Sequence, residues 1–187
     1  MDLMECRKRL DEIDQEIVRL FEERMSVCKQ VAEDKIRSGK AVYDGEREKQ
    51  KLLAVQELAH GAFNKDAVRE VFAQLMTISR RYQYGKLTAM QDAVVDGAAA
   101  AAGVDKNAAH TQVEISFTCP AATSDLNLFI NMTKLNKIAI DSMNLSTEGG
   151  VQKITMTLDG NLKESNMRRL LCQIGKEADD FKILAVK

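Results

Sequence analysis

From Leu3 to about Arg37 the chain contains neither proline nor glycine, and apolar residues fall at Leu10, Ile13, Ile17, Leu20, Phe21, Cys28 and Val31. Steps of three and four residues put these side chains on one stripe of a helix. Ser38-Gly39 follows as a stop signal, since glycine readily takes the left-handed backbone that ends a helix. At 1.5 Å per residue such a helix is about 50 Å long. A helical domain of ~90 residues is narrower than that, so the chain's own short partners cannot bury the stripe. The length predicts packing against a second copy of the chain. Two residues break the stripe's chemistry. Arg24 and Lys35 are eleven positions apart, which returns to within about 20° of the same direction and separates them by about 16 Å. Either cation alone reads as a side chain snorkelling from a core edge or pairing across a helix seam.

After a short loop from Lys40 to Tyr43, the carboxylate of Asp44 is placed to cap a second helix by accepting its free N–H groups. This helix is expected to run to about His60, with Leu52, Leu53, Val55 and Leu58 as its apolar residues and Gly61 as its end. Arg47 and Glu48 lie in its first turn, where glutamate suits the helix dipole and arginine does not. Asn64 is expected to cap a third helix reaching about Met90, with Val68, Val71, Phe72, Leu75, Met76 and Ile78 on its stripe. Ser79 and Gln83 interrupt that stripe and, four apart, share a face.

Residues 92–110, with five alanines between Gly97 and Gly103, have no large apolar side chain beyond valine and read as a linker. Beyond it the period changes to two at Val113, Ile115 and Phe117, the mark of a half-buried strand. A helix from Ser124 to Lys137 follows, then strands over 138–145 and 151–158 joined at Gly149-Gly150, a helix over 162–178 and a last strand over 181–186. The order is βαββαβ, expected to place two helices on one face of an antiparallel sheet. The predicted organisation is thus a three-helix all-α domain over residues 1–91, a linker over 92–110 and a βαββαβ domain over 111–187.

With 187 residues there is room for one large domain or two small ones. Basic and acidic residues number 27 and 28, and neither half is strongly basic, which argues against nucleic acid and anionic membranes as partners. Cys6, Cys28, Cys119 and Cys172 are scattered without a CxxC pair or a histidine cluster, so they read as reduced, half-buried residues and no metal site is expected. No run approaches ~18 apolar residues. The start of the chain lacks an apolar signal region, and the expected compartment is the cytoplasm.

Arg7 lies seventeen residues before Arg24, about 25 Å along the same helix, too far to share a small ligand within one chain. In an antiparallel pair of these helices, Arg7 of one chain reaches the site of the other. Together, Arg7, Ile13-Asp14, Ile17, Arg24, Val31-Ala32, Lys35, Val42-Tyr43-Asp44, Arg47-Glu48, Phe72, Ser79 and Gln83 make residues 3 to about 90 resemble the all-helical chorismate mutase family. The resemblance implies an intertwined helical homodimer with two composite sites, and chorismate, a small dianion, as substrate. It implies that Arg7 of the partner chain and Arg24 hold the carboxylates, with the guanidinium fork suited to them. By the same resemblance Lys35 bridges a carboxylate and the ether oxygen, Gln83 gives that oxygen its second bond, and Glu48 accepts from the ring hydroxyl beside Asp44. Ser79 and Arg47 complete the carboxylate end. Gly45, after Asp44, is a local departure from the family's pattern. The rearrangement to prephenate is unimolecular and uses no cofactor.

The βαββαβ half resembles an ACT domain in element order, which implies a regulatory role and opens it to an amino-acid effector. Its loop Pro120-Ala121-Ala122-Thr123-Ser124 lacks the glycine that such domains usually place there. Only the short linker separates the halves, so no prephenate dehydratase activity is expected. Two rival readings are an isochorismate pyruvate-lyase on the same scaffold and a non-catalytic regulatory or interaction subunit.

Overall fold

A computed structural model describes residues 2–123 and 125–187. By its internal contacts the chain divides into two units, Met1–Ala41 and Val42–Lys187. The first is a single helix, α1 (Leu3–Ser38), of 36 residues, about 54 Å long. Asp2 and Glu5 form a reciprocal capping box at its start, and Gly39 ends it at φ 67° in the left-handed region. Leu10, Ile13, Ile17 and Leu20, the stripe expected from the sequence, are all at least 40% exposed in the single chain.

The second unit opens with α2 (Gly45–Gln56), capped by Asp44, whose Oδ1 accepts from the Arg47 backbone N–H at 3.1 Å. The helix ends four residues before His60. Leu58 and Ala59 bond back three residues instead of four, which tightens the chain into a turn, and Leu58 has no core to enter at 78% exposed. Helix α3 (Ala62–Lys86) begins at Gly61, so Asn64 lies inside the helix and not at its cap. It buries Ala73, Met76, Thr77, Ser79, Arg80, Gln83 and Tyr84.

The first half of the stretch read as a linker, residues 92–101, is helical. After a break at Leu87, α4 (Thr88–Ala101) carries Val95 and Ala99 into the same core as the sheet, at 0% and 2% exposed. Alanine has the highest helix propensity of any residue, and one glycine at position 97 costs only about 1 kcal/mol. Small side chains also permit close approach. A Cβ added at Gly175 would come within 2.8 Å of Val94 and 2.9 Å of Phe181. Asp92 and Asp96 of α4 both pair with Arg168, at 2.7 and 2.9 Å.

The βαββαβ order is as expected: β1 (Gln112–Pro120), α5 (Leu126–Leu135), β2 (Ile140–Glu148), β3 (Val151–Asp159), α6 (Ser165–Glu177) and β4 (Asp179–Val186). Ser124, expected to open α5, lies outside the described residues. The strands form an open antiparallel sheet in the order β2-β3-β1-β4. Val113, Ile115, Phe117 and Cys119 alternate into a core with Phe129 and Met132 of α5 and Met167, Leu170, Leu171 and Ile174 of α6. Three helices line this core, because α4 joins the expected two. The β2–β3 hairpin turns through Gly149 and Gly150 at φ 58° and 78°, both in the region that a two-residue hairpin of the primed type requires. The N-terminal region is therefore helical, and the C-terminal region combines sheet and helices.

Candidate functional site

On α1, Arg24 and Lys35 occupy one continuous helix and so face one way, as the eleven-residue spacing requires. Arg24 Nη1 lies 3.8 Å from Cys28 Sγ, one turn on. Arg7 is exposed near the start of the helix.

In the second unit, α2 and α3 bring a further set together. Arg47 is exposed in the first turn of α2, and one residue on, Glu48 turns its carboxylate toward α3. Ser79 and Gln83 share a face of α3 and are 5% and 6% exposed. The Ser79 hydroxyl donates to the Leu75 carbonyl at 2.8 Å, and Gln83 Nε2 donates to the Ser79 carbonyl at 3.4 Å. Gln83 Oε1 is buried and has no hydrogen-bond partner among the described residues. An amide held in this way is unusual in a finished core, where buried polar groups find partners.

Between these two residues lies a group that the sequence did not single out. Arg80 has a side chain only 5% exposed and stands between two carboxylates. Its Nη1 donates to Glu48, while Nε and Nη2 donate to Glu177 at 2.7 and 2.9 Å. Nη2 also reaches Thr77 Oγ1 at 3.2 Å. Glu177 comes from the last turn of α6, and Gln173, one turn before it, donates to both Glu177 and the Thr77 carbonyl. The guanidinium lies 5.2 Å from the centre of the Tyr43 ring, within reach of a cation–π attraction. Gly45, the departure noted in the sequence, makes room for this ring, since a Cβ there would stand 3.1 Å from the Tyr43 hydroxyl.

Three charges with a net of −1 thus sit together. Burial works against the charge on Arg80, but Glu177 and Glu48 outweigh it and raise its pKa. Burial holds the Glu177 carboxyl above its ordinary value despite Arg80. Burial likewise raises the Tyr84 hydroxyl on the same face of α3 and pushes the Cys172 thiol up to about 11. One faint signal for this network was present in the sequence. Gln173 and Glu177 are four apart on α6, polar positions beside an apolar face, as Thr77 and Arg80 are on α3.

Comparisons with known proteins bear on the helical part. Residues 6–84 match the family profile of chorismate mutase type II. The chain is 31% identical over 80 residues to a bifunctional chorismate mutase/prephenate dehydratase of Aquifex aeolicus, covering 41% of this chain and 22% of the relative. It is 51% identical over 47 residues to a chorismate mutase of Methanocaldococcus jannaschii, covering 25% of this chain and 48% of the relative. The N-terminal part of the chain is thus similar to the chorismate mutase family. It is joined to a second region of helices and sheet, and the matches span less than half the length of either relative. No solved structure matches the chain. Among the described residues no helix is long and apolar enough to cross a membrane, and no cluster of His, Cys, Asp or Glu is arranged for a metal ion.

Proposed function

We propose that this protein is a chorismate mutase, converting chorismate to prephenate without a cofactor. The observation that carries the reading is the family match over residues 6–84, which spans all eight site residues that the resemblance implies, Arg7, Arg24, Lys35, Asp44, Arg47, Glu48, Ser79 and Gln83. The reaction is a pericyclic shift within one molecule. It needs a dianion held in a compact conformer, which is a positioning effect. It also needs donors at the ether oxygen, where negative charge grows as the C–O bond breaks. Arg24, with Arg7 from a second copy of the chain, is to hold the carboxylates, and Ser79 and Arg47 complete that end. Lys35 and Gln83 donate to the ether oxygen. Glu48, beside Asp44, accepts from the ring hydroxyl. Two structural features support these roles. Gln83 offers a neutral amide on a buried face of α3, and Glu48 Oε1 accepts nothing among the described residues while Oε2 takes Arg80. The exposed stripe at Leu10, Ile13, Ile17 and Leu20 supports pairing of two copies through α1. In this reading residues 1–91 carry catalysis and residues 111–187 regulate it, in the cytoplasm, through an amino acid bound by the C-terminal region.

The test is incubation of the purified full chain with chorismate and identification of the product by NMR. Prephenate is the expected product. Release of pyruvate from isochorismate, supplied in a parallel incubation, indicates a lyase, and no turnover of chorismate refutes the proposal. Phenylpyruvate formed from prephenate would refute the absence of a dehydratase step. Calorimetry with phenylalanine, tyrosine and tryptophan tests the regulatory role, and no heat with any of them counts against it.

A further inference from the structure

Where α3, α5 and α6 meet, two arginines converge on one oxygen. Arg169 Nε donates to Asn136 Oδ1 at 2.7 Å, and Arg81 Nε approaches the same atom at 3.3 Å. Asn136 is 1% exposed and its amide is fixed, because Nδ2 donates to the Met132 carbonyl at 2.8 Å and its own carbonyl takes Asn166 Nδ2 at 3.2 Å. The Arg169 side chain is seated across α3 at Gly85, where an added Cβ would stand 3.2 Å from its Cδ. Arg81 and Gly85 are one turn apart and share that face of α3. Both arginines are half-buried, and neither pairs with a carboxylate among the described residues. Among the described residues, the outer nitrogens of both forks have no hydrogen-bond partner.

Two full positive charges at this distance repel each other, and what they share is a neutral amide oxygen. The carbonyl end of α5 offers only about half a negative charge, less than the pair requires. Burial and the Arg81 charge together lower the Arg169 pKa, the sense expected of a cation without its counterion. We infer that Arg81 and Arg169 form a binding site for a small oxyanion, a carboxylate or phosphate group held by two guanidinium forks on the Asn136 amide. Planar forks of this kind match such groups with paired, charge-assisted hydrogen bonds. Because the two arginines come from α3 and α6, a bound anion ties the helix bearing Ser79 and Gln83 to the C-terminal region. The site does not depend on the mutase reading.

Isothermal titration of the full chain with inorganic phosphate and, separately, with malonate tests the inference. At least one is expected to bind with a dissociation constant of about 1 mM or tighter, and Arg81→Gln and Arg169→Gln are each expected to weaken it about 10-fold or more. Arg169→Lys, which keeps the charge and loses the fork, should fall between. Phosphate alone binding identifies a phosphate group as the ligand, and malonate alone a carboxylate. If neither anion binds up to about 50 mM, well beyond the affinity of paired charge-assisted bonds, the inference is overturned. It is also overturned if both Gln variants, shown folded by circular dichroism, bind as the wild type does.

Discussion

Replacing Arg80 with methionine removes the one positive charge between Glu48 and Glu177. The substitution keeps much of the side-chain volume but abolishes three bonds to carboxylates and one to Thr77. The side chains of Arg80 and Glu177 are 5% and 4% exposed, so water cannot replace the lost partner. Stranding a buried charge in this way costs about 3–5 kcal/mol, a large part of the 5–15 kcal/mol typical of a whole domain. Acid should soften the loss. The Glu177 pKa is already raised above its ordinary 4.5 by burial, so the folded state binds this proton more tightly than the unfolded chain. Its contribution to stability is full below 4.5 and is lost as pH rises through the folded value. Without Arg80 that window widens, and the variant should be penalised less at about pH 5 than at about pH 7.5. Adding Glu177→Gln should recover part of the loss, because the stranded group is then neutral. Urea denaturation followed by circular dichroism measures each difference. A loss below about 1 kcal/mol, the size of an exposed pair, or an equal loss at both pH values, would refute the buried-triad reasoning.

Lys35→Ala should lower mutase turnover by several orders of magnitude while gel filtration still shows the wild-type oligomer; near-normal turnover would remove Lys35 from the reacting bond. Gln83 donates without being protonated, so the wild type should work at neutral pH. Gln83→Glu should confine activity to acid, where a carboxyl keeps its proton, and a flat pH–rate profile for that variant would contradict the role of Gln83. Val95→Ala should cost roughly 1–3 kcal/mol in thermal or urea unfolding, because a fully buried side chain loses two methyl groups; a neutral result would return residues 92–101 to the status of a linker.

The parts of the fold visible in the sequence are those with local causes. An uninterrupted helical period and Gly39 mark α1, the Asp44 carboxylate marks the start of α2, and alternation with paired glycines marks the β2–β3 hairpin. Helix α4 escaped because alanine and glycine describe a flexible linker and a closely packed helix equally well. The burial of Val95 and Ala99 and the approach of Val94 and Phe181 to Gly175 distinguish them, and these contacts exist only in three dimensions. The candidate site divides in the same way. Ser79 and Gln83 are polar interruptions of an apolar stripe and so visible in one dimension. The bond from Arg80 to Glu177 joins residues 97 positions apart, and its only local trace is the polar positions beside the apolar faces of α3 and α6.

The most direct test of a mutase site shared between two chains is complementation. Arg7→Ala and Lys35→Ala are each expected to be nearly inactive toward chorismate. If Arg7 serves the partner's site, a mixed dimer of the two variants holds one intact site and one doubly broken site. An equal mixture, unfolded and refolded together, should then recover about one quarter of wild-type turnover, since half of randomly paired dimers are mixed. Recovery no greater than the sum of the separate variants, in a mixture shown to contain mixed dimers and beside an active wild type, would contradict the shared site.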